Sequence, residues 1–328
     1  MRLNPSIERT RAGSALQVLI SFSAARALRA ISQSQSFGQA EHPSCHLKRK
    51  RMNILKIAAF SDGNAGGNPA GVVVGDAFPP DSEMQRIAAE LGFSETAFAA
   101  STPTGWRVRY FSPESEVPFC GHATIALGAA LALRYGDGVF ALSLNQAEIT
   151  VEGRRDGEMI AAALQSPPTR SMAAPSQLVS SVLGLFGYTP EDLDNRIPPA
   201  LAHGGADHLV LCLKTRESLA LMKYDLNTGR SLMNREGLAT ILLAFAKTPQ
   251  FFHTRNPFAS GGVYEDPATG AATAAFAGYL RDIAWPHRGV IDVVQGEDMG
   301  MRSCLRAEIS PLPGSSIRVS GTARVMQP

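Results

Sequence analysis

CGHATIALGAAL, residues 120–131, and TGAATAAFAGYL, residues 269–280, align without a gap. Gly121 falls on Gly270, Ala123 on Ala272, Thr124 on Thr273, Ala126 on Ala275 and Leu131 on Leu280. Residues 123–133 carry no charge, and neither do residues 272–280. A helix that is apolar on every side is a buried helix, and its Ala and Gly side chains let a surrounding sheet come close. The pattern predicts one unit twice: a curved sheet wrapped around a central helix. Ala-rich text produces such identities by chance. Two further features favour a repeat: both runs follow a Gly-containing loop, and both come after an Arg-plus-aromatic segment, RYFSP at Arg109 and RNPFAS at Arg255.

The rest of the chain fits that unit. Its 328 residues suffice for two domains, and 45% hydrophobic against 18% charged residues is a globular composition. Charge is divided unevenly: residues 1–51 sum to +7 and the remainder to −5. A mildly acidic body argues against a nucleic-acid surface. No run has the roughly 18 apolar residues of a membrane span. Cys45, Cys120, Cys212 and Cys304 lie far apart without a CxxC pair, so neither a zinc ribbon nor a disulfide framework is indicated. Residues 1–51 read as an extension, disordered or not native, with a targeting segment or a basic tail as alternatives; Met52 opens the first strand-like segment. The cytoplasm is the expected location.

Short β-like segments dominate the body, at 54–60, 70–74, 97–100, 106–111, 139–144, 149–152 and 159–164. Residues 81–91 read as an amphipathic helix with Asp81 or Ser82 as cap and Gly92 as stop. QSPPTRSMAAPSQ, residues 165–177, looks like a linker. It divides an N-terminal lobe, 52–168, from a C-terminal lobe, 176–328. The second half holds a helix at 176–186 and strands near 209–213, 239–245, 289–294, 302–308 and 317–320. Strand and helix do not alternate as a parallel α/β fold requires. The fold class is therefore α+β. The last strand is open to packing on either lobe.

Candidate chemistry gathers at the two glycine loops. The first amides of a buried helix have no internal acceptor, and two such ends facing one cleft would bind a small carboxylate. GxxxxGK[ST] and GxGxxG are absent, so nucleotides are not indicated. Glu95, in GFSETAFAA, has apolar neighbours that suit a carboxylate to proton transfer; the alternative is a solvent-facing Glu on a half-buried strand. His122 opens a buried helix and can pass one proton, or be a helix-start histidine satisfied by backbone. Asp266, in YEDPATG, stands before the second loop, where it can also cap the turn. Asn68, in NAGGNPAG, can bind a ligand, although an Asn-Pro turn explains it too. Cys120 reads as a small buried residue, since its counterpart is Thr269 and a two-thiol exchange is not available. His203 and His208, in HGGADH, have no metal spacing and read as a loop.

GGNPAG, FSETAF, SPESEVPFCGHAT and YEDPATGAAT, in this order, resemble the PhzF-like family of phenazine-biosynthesis isomerases and their relatives. The resemblance runs from Met52 nearly to the C-terminus. It implies a diaminopimelate epimerase-like fold of two similar lobes, each a β-barrel-like sheet around a central helix, with the site in the cleft between. It also implies proton chemistry without a cofactor or metal on a small carboxylate-bearing molecule such as trans-2,3-dihydro-3-hydroxyanthranilate, and makes a homodimer reasonable. The family's catalytic glutamate falls on Glu95, its histidine on His122 and its aspartate on Asp266. Substrate oxygens would meet Asn68 and the backbone at Gly121, Thr269, Gly270 and Ala271. The family's second loop usually ends in Ser where this chain has Ala271, so a hydroxyl is missing while the amide remains. RNPFAS departs from the usual Arg-aromatic-aromatic-Ala-Pro. A racemase or epimerase using Cys120 as one base, and a non-catalytic small-molecule-binding protein, are the rival readings.

Overall fold

A computed structural model describes residues 53–145 and 147–327. The expectations for residues 1–51, for Met52 and for Cys45 lie outside the described residues. The chain is a mixed α+β fold with one large sheet and few helices. Its first half runs β1 (Ile54–Ser61), β2 (Asn68–Gly75), α1 (Asp81–Leu91), β3 (Thr96–Thr102), β4 (Gly105–Phe111), β5 (Glu116–Val117), α2 (Gly121–Tyr135), β6 (Gly138–Ser143), β7 (Glu148–Asp156) and β8 (Met159–Gln165). Then come β9 (Arg170–Ala173), α3 (Ser176–Phe186), β10 (Ala200–His203), β11 (Asp207–Leu213), α4 (Arg216–Ala220), α5 (Leu226–Glu236), β12 (Thr240–Thr248) and β13 (Phe251–Phe258). The chain closes with β14 (Val263–Asp266), α6 (Gly270–Asp282), β15 (Val290–Gln295), β16 (Ser303–Glu308) and β17 (Arg318–Val325).

Strand pairing repeats in the two halves. In the first, β1–β2 is antiparallel, β2–β3 parallel, β3–β4 and β4–β5 antiparallel, β4–β6 parallel, and β6–β7 and β7–β8 antiparallel. The series β10–β11, β11–β12, β12–β13, β13–β14, β13–β15, β15–β16 and β16–β17 has the same senses in the same order. In both series the buried Ala-rich helix follows the short fifth strand. β17 departs from simple repetition: it pairs with β1 and with β8 as well as with β16.

α2 touches β1, β2, β3, β6, β7, β8 and β17, and α6 touches β9, β10, β11, β16 and β17. Their small residues set how close the sheet comes. A methyl on Gly153 of β7 would stand 2.2 Å from the carbonyl oxygen of Gly128 in α2. One on Gly204, after β10, would stand 2.6 Å from the amide nitrogen of Ala275 in α6. No helix among the described residues is long and apolar enough to cross a membrane.

Several local readings need correction. The N-cap of α1 is Pro80, without a side-chain bond. Asp81 instead accepts from Arg109, whose cation outweighs the weak gain of an exposed cap. Gly92 does end the helix in the left-handed conformation. The supposed linker 165–177 contains β9, which pairs with β10; its Pro and Ser content marks the turns on either side. The segment read as a loop around His203 and His208 is the β10–β11 hairpin. His203 sits 2.7 Å from Asp207, and buried His208 sits 2.8 Å from the Thr240 hydroxyl.

Candidate active site

The two glycine loops meet. A methyl on Gly121 would lie 3.3 Å from the Ala271 amide nitrogen and 3.4 Å from Gly270 Cα. The N-termini of α2 and α6 therefore touch each other, and their dipoles point into one place. Gly270 also faces the ring of Phe60, the extra residue of a bulge in β1 between its pairings with β17. The bulge gives Phe60 a φ of 60° and places its buried ring under the second helix start.

Each helix start is held by a similar clamp. Arg109 on β4 grips Glu116 on β5 through Nε at 2.8 Å and a terminal nitrogen at 2.6 Å. Arg255 on β13 grips Glu265 on β14 through Nε at 3.0 Å and a terminal nitrogen at 2.5 Å. Glu116 stands five residues before Gly121, and Glu265 five before Gly270. The forked guanidinium matches a carboxylate in two bonds, so each hairpin delivers its helix start in a fixed orientation. The Arg-plus-aromatic signal was visible in the sequence, whereas the glutamate partners were not.

The eight candidate residues fall into one connected group. Glu95, at the end of the α1–β3 loop, is 7% exposed. Its Oε2 has no hydrogen-bond partner and lies 3.4 Å from His122 Nε2. His122 is also buried, 3.3 Å from Ser94 Oγ and 3.3 Å from Cys120 Sγ. Asp266 accepts from Asn68 Nδ2 at 2.7 Å on one oxygen and from the Thr269 hydroxyl at 2.6 Å on the other. Burial raises Asp266 to about 6, against the lowering effects of His122, Thr269 and Asn68. Burial likewise pushes the Cys120 thiol well up, with Glu95 adding to it. A thiol so placed is a poor base near neutral pH.

A cleft of about 800 Å³ reaches this group. Asn68, Glu95 and Asp266 line it, whereas Gly121, His122, Thr269, Gly270 and Ala271 do not. The two helix starts are packed against each other. Nor is the Asn68 amide free: its nitrogen also donates to the Ala268 carbonyl at 3.0 Å. Asn68 opens β2 rather than forming an Asn-Pro turn.

Three residues at the site carried no sequence signal strong enough to find them. Ser94 sits inside FSETAF and faces both the cleft and His122. Gln295, fully buried at the end of β15, donates to the Asp266 carbonyl at 2.6 Å and the Thr269 hydroxyl at 2.9 Å, and accepts from the Thr269 amide at 3.1 Å. It holds the second loop from behind. Arg230, on α5, is the one cation among the described residues lining the cleft, against Glu95, Glu114, Glu265 and Asp266. Its Nε rests on the Ala259 carbonyl at 3.3 Å.

This fold and this pairing of a buried glutamate with a GHAT histidine define a class that comparison with known proteins identifies. The sequence profile of the phenazine biosynthesis-like (PhzC-PhzF) family matches residues 57–327. A trans-2,3-dihydro-3-hydroxyanthranilate isomerase of Pseudomonas aeruginosa is 31% identical over 81% of this chain and 94% of its own length. The uncharacterized isomerase YddE of Escherichia coli O157:H7 is 31% identical over 74% of this chain and 84% of its own. The crystal structure of a Bacillus anthracis PhzF-family protein superposes with a TM-score of 0.74 at 22% identity, covering 84% of this chain and 97% of that one. The chain belongs to the phenazine biosynthesis-like family, and in class it is a PhzF-like isomerase.

Proposed function

We propose that this isomerase moves a proton between two carbons of a small carboxylate-bearing molecule, with Glu95 as the acid/base. The observation that carries the reading is the orphaned Oε2 of buried Glu95, beside His122, in a residue that lines the cleft. A buried acceptor without a partner is costly unless a ligand uses it. Glu95 takes the proton from one carbon and returns it to another, so the reaction needs no other reactant. His122 stabilises the glutamate in each state. Asp266, near neutrality in its titration, orients a polar group of the substrate, and Asn68, Thr269 and Gln295 hold it in place. The same reading takes the chain as two lobes, one around α2 and one around α6, with the reaction where they meet.

The cleft needs a positive charge for a carboxylate, and Arg230 supplies it. The substrate of the P. aeruginosa relative, trans-2,3-dihydro-3-hydroxyanthranilate, fits these demands. The rival that uses Cys120 as a base gains nothing from its raised thiol or from its counterpart being Thr269.

The test is NMR in D2O with trans-2,3-dihydro-3-hydroxyanthranilate. The wild type converts it, and Glu95→Gln folds but does not. Arg230→Gln raises KM roughly 10- to 100-fold, as loss of a charge-assisted bond does, with kcat changed far less. Undiminished turnover in Glu95→Gln would remove it from the acid/base role, and an unaltered KM would remove Arg230 from carboxylate recognition.

A further inference from the structure

Gln295 ends β15 with its backbone paired on both sides, to Thr254 of β13 and Ser303 of β16. Gly296 after it runs so close to the second glycine loop that a methyl there would lie 2.7 Å from the Pro267 carbonyl oxygen. The fully buried Gln295 amide is therefore held against residues 266–269. Its partners settle its orientation. Oε1 accepts from the Thr269 amide at 3.1 Å, so Nε2 faces the Asp266 carbonyl at 2.6 Å and the Thr269 hydroxyl at 2.9 Å. Turned over, the amide would set donor against donor and acceptor against acceptor. Both Nε2 hydrogens are thus used, and Thr269 Oγ1 receives one of them. The hydroxyl's own hydrogen then goes to its other partner, Asp266 Oδ2 at 2.6 Å.

We propose that Gln295 is a positioning residue which, by donating to Thr269, turns that hydroxyl's hydrogen onto Asp266 and favours the ionised carboxylate. A hydrogen bond to the charged form of an acid stabilises that form. Burial raises Asp266, and the Thr269 bond is one of the influences that oppose it. On the other side Asn68 Nδ2 donates to Asp266 Oδ1 and to the Ala268 carbonyl. A proton taken up by Asp266 must therefore occupy a lone pair that neither Asn68 nor Thr269 uses. At the first glycine loop the aligned residue is Cys120, whose sulfur lies against His122 instead. The titratable groups that act on Asp266 by charge are His122 and Glu95, with Cys120 beside them. Glu114, Glu265 and Arg230 line the same cleft. The Gln295 side chain bonds to none of these groups, so its influence passes through Thr269. The placement stands on hydrogen bonds alone, whereas its effect on turnover rests on the role proposed for Asp266.

The experiment titrates Asp266 directly, by 13C NMR of the full chain labelled at its aspartate carboxyl carbons, with Asp266→Asn identifying the signal. The wild type titrates at about 6. Gln295→Glu keeps the shape and reverses the chain of bonds. The introduced carboxyl, neutral in this buried place, donates to the Asp266 carbonyl and accepts from the Thr269 hydroxyl, which leaves Asp266. The proton affinity of Asp266 then rises on the order of tenfold, one pH unit. Thr269→Val removes the hydroxyl and gives the same rise, and Gln295→Glu added to Thr269→Val gives no more. In the wild type both Gln295 amide hydrogens exchange slowly and shift as Asp266 titrates, a readout that needs no variant to fold. Three results overturn the proposal: Asp266 unmoved by Gln295→Glu, a further rise of equal size when Gln295→Glu is made in Thr269→Val, or freely exchanging Gln295 hydrogens. The second of these would mark a plain effect of charge. In turnover, the limb of the rate profile that Asp266 controls moves up by the same unit. If the NMR shift occurs while that limb stays in place, or no turnover is found with the dihydroanthranilate, the reading of the reaction fails and the assignment of Gln295 stands.

Discussion

Asp266 and His208 are buried titratable residues shifted in opposite directions by the same cause. Burial raises Asp266 from 3.8 to about 6 and lowers His208 from 6.5 to about 4. Between about pH 4 and 6 folded Asp266 holds a proton that the unfolded chain has released, so its ionisation costs stability as pH rises. His208 does the reverse: the unfolded chain binds a proton that the fold refuses, so stability is lost as pH falls from 6.5 toward 4. Relative to wild type, Asp266→Asn should therefore gain stability from pH 4 to 7, on the order of 2–3 kcal/mol for a two-unit shift. His208→Gln should gain as pH falls over the same window. Thermal melts of the three proteins at pH 4, 5.5 and 7 would check both signs. Parallel curves would show that neither shift is present. Of these two residues the sequence singled out Asp266 through its loop. The cost of burying it was not legible, because Asn68 and Gln295 reach it from strands 198 and 29 residues away.

At the level of elements, legibility followed local chemistry. α3 occupies the residues 176–186 read as a helix, with Gly187 left-handed at its end, and α2 and α6 were found by their lack of charge. α5 escaped notice because Gly229 interrupts its pattern; a methyl there would meet the Tyr224 ring at 2.5 Å, so packing, not propensity, placed that glycine. Its start does have a signature, Asp225 accepting from the Thr228 amide at 2.8 Å. β13 was missed because Pro257 lies within it, a residue that argues against an interior strand. Gly204 gives a test at this scale. Its backbone has no left-handed φ, so alanine is conformationally allowed there. An added methyl would nonetheless strike α6 backbone at 2.6 and 2.9 Å. Gly204→Ala should lower stability by about 1–3 kcal/mol, read as a shift in urea midpoint without a change in slope. No shift would mean that α6 moves away freely.

For the whole molecule, the repeat alone would give two self-contained sheets, but β17 joins them. It lies along β1 from Ile57↔Val325 to Ser61↔Thr322 and along β8 from Arg318↔Gln165 to Ala323↔Ile160. Both neighbours belong to the half around α2. No sequence pattern announced this choice of partners, because strand pairing over such separations is decided by the assembled sheet rather than by neighbours in the chain. Removing residues 318–328 should leave β1 and β8 with open edges and abolish cooperative unfolding. Circular dichroism melts would check it, and a truncated chain that still melted in one sharp transition would show that β17 is dispensable.

The same strand sets a schedule. Ile57 waits for Val325, 268 residues later, and at about 5–20 residues per second of synthesis that interval is on the order of 10 to 50 s. Once β8 is complete at Gln165, the nascent sheet around α2 is one strand short, with two edges able to pair with the wrong chain. The growing polypeptide must be shielded through that interval, and its period of greatest danger ends only when the final strand arrives.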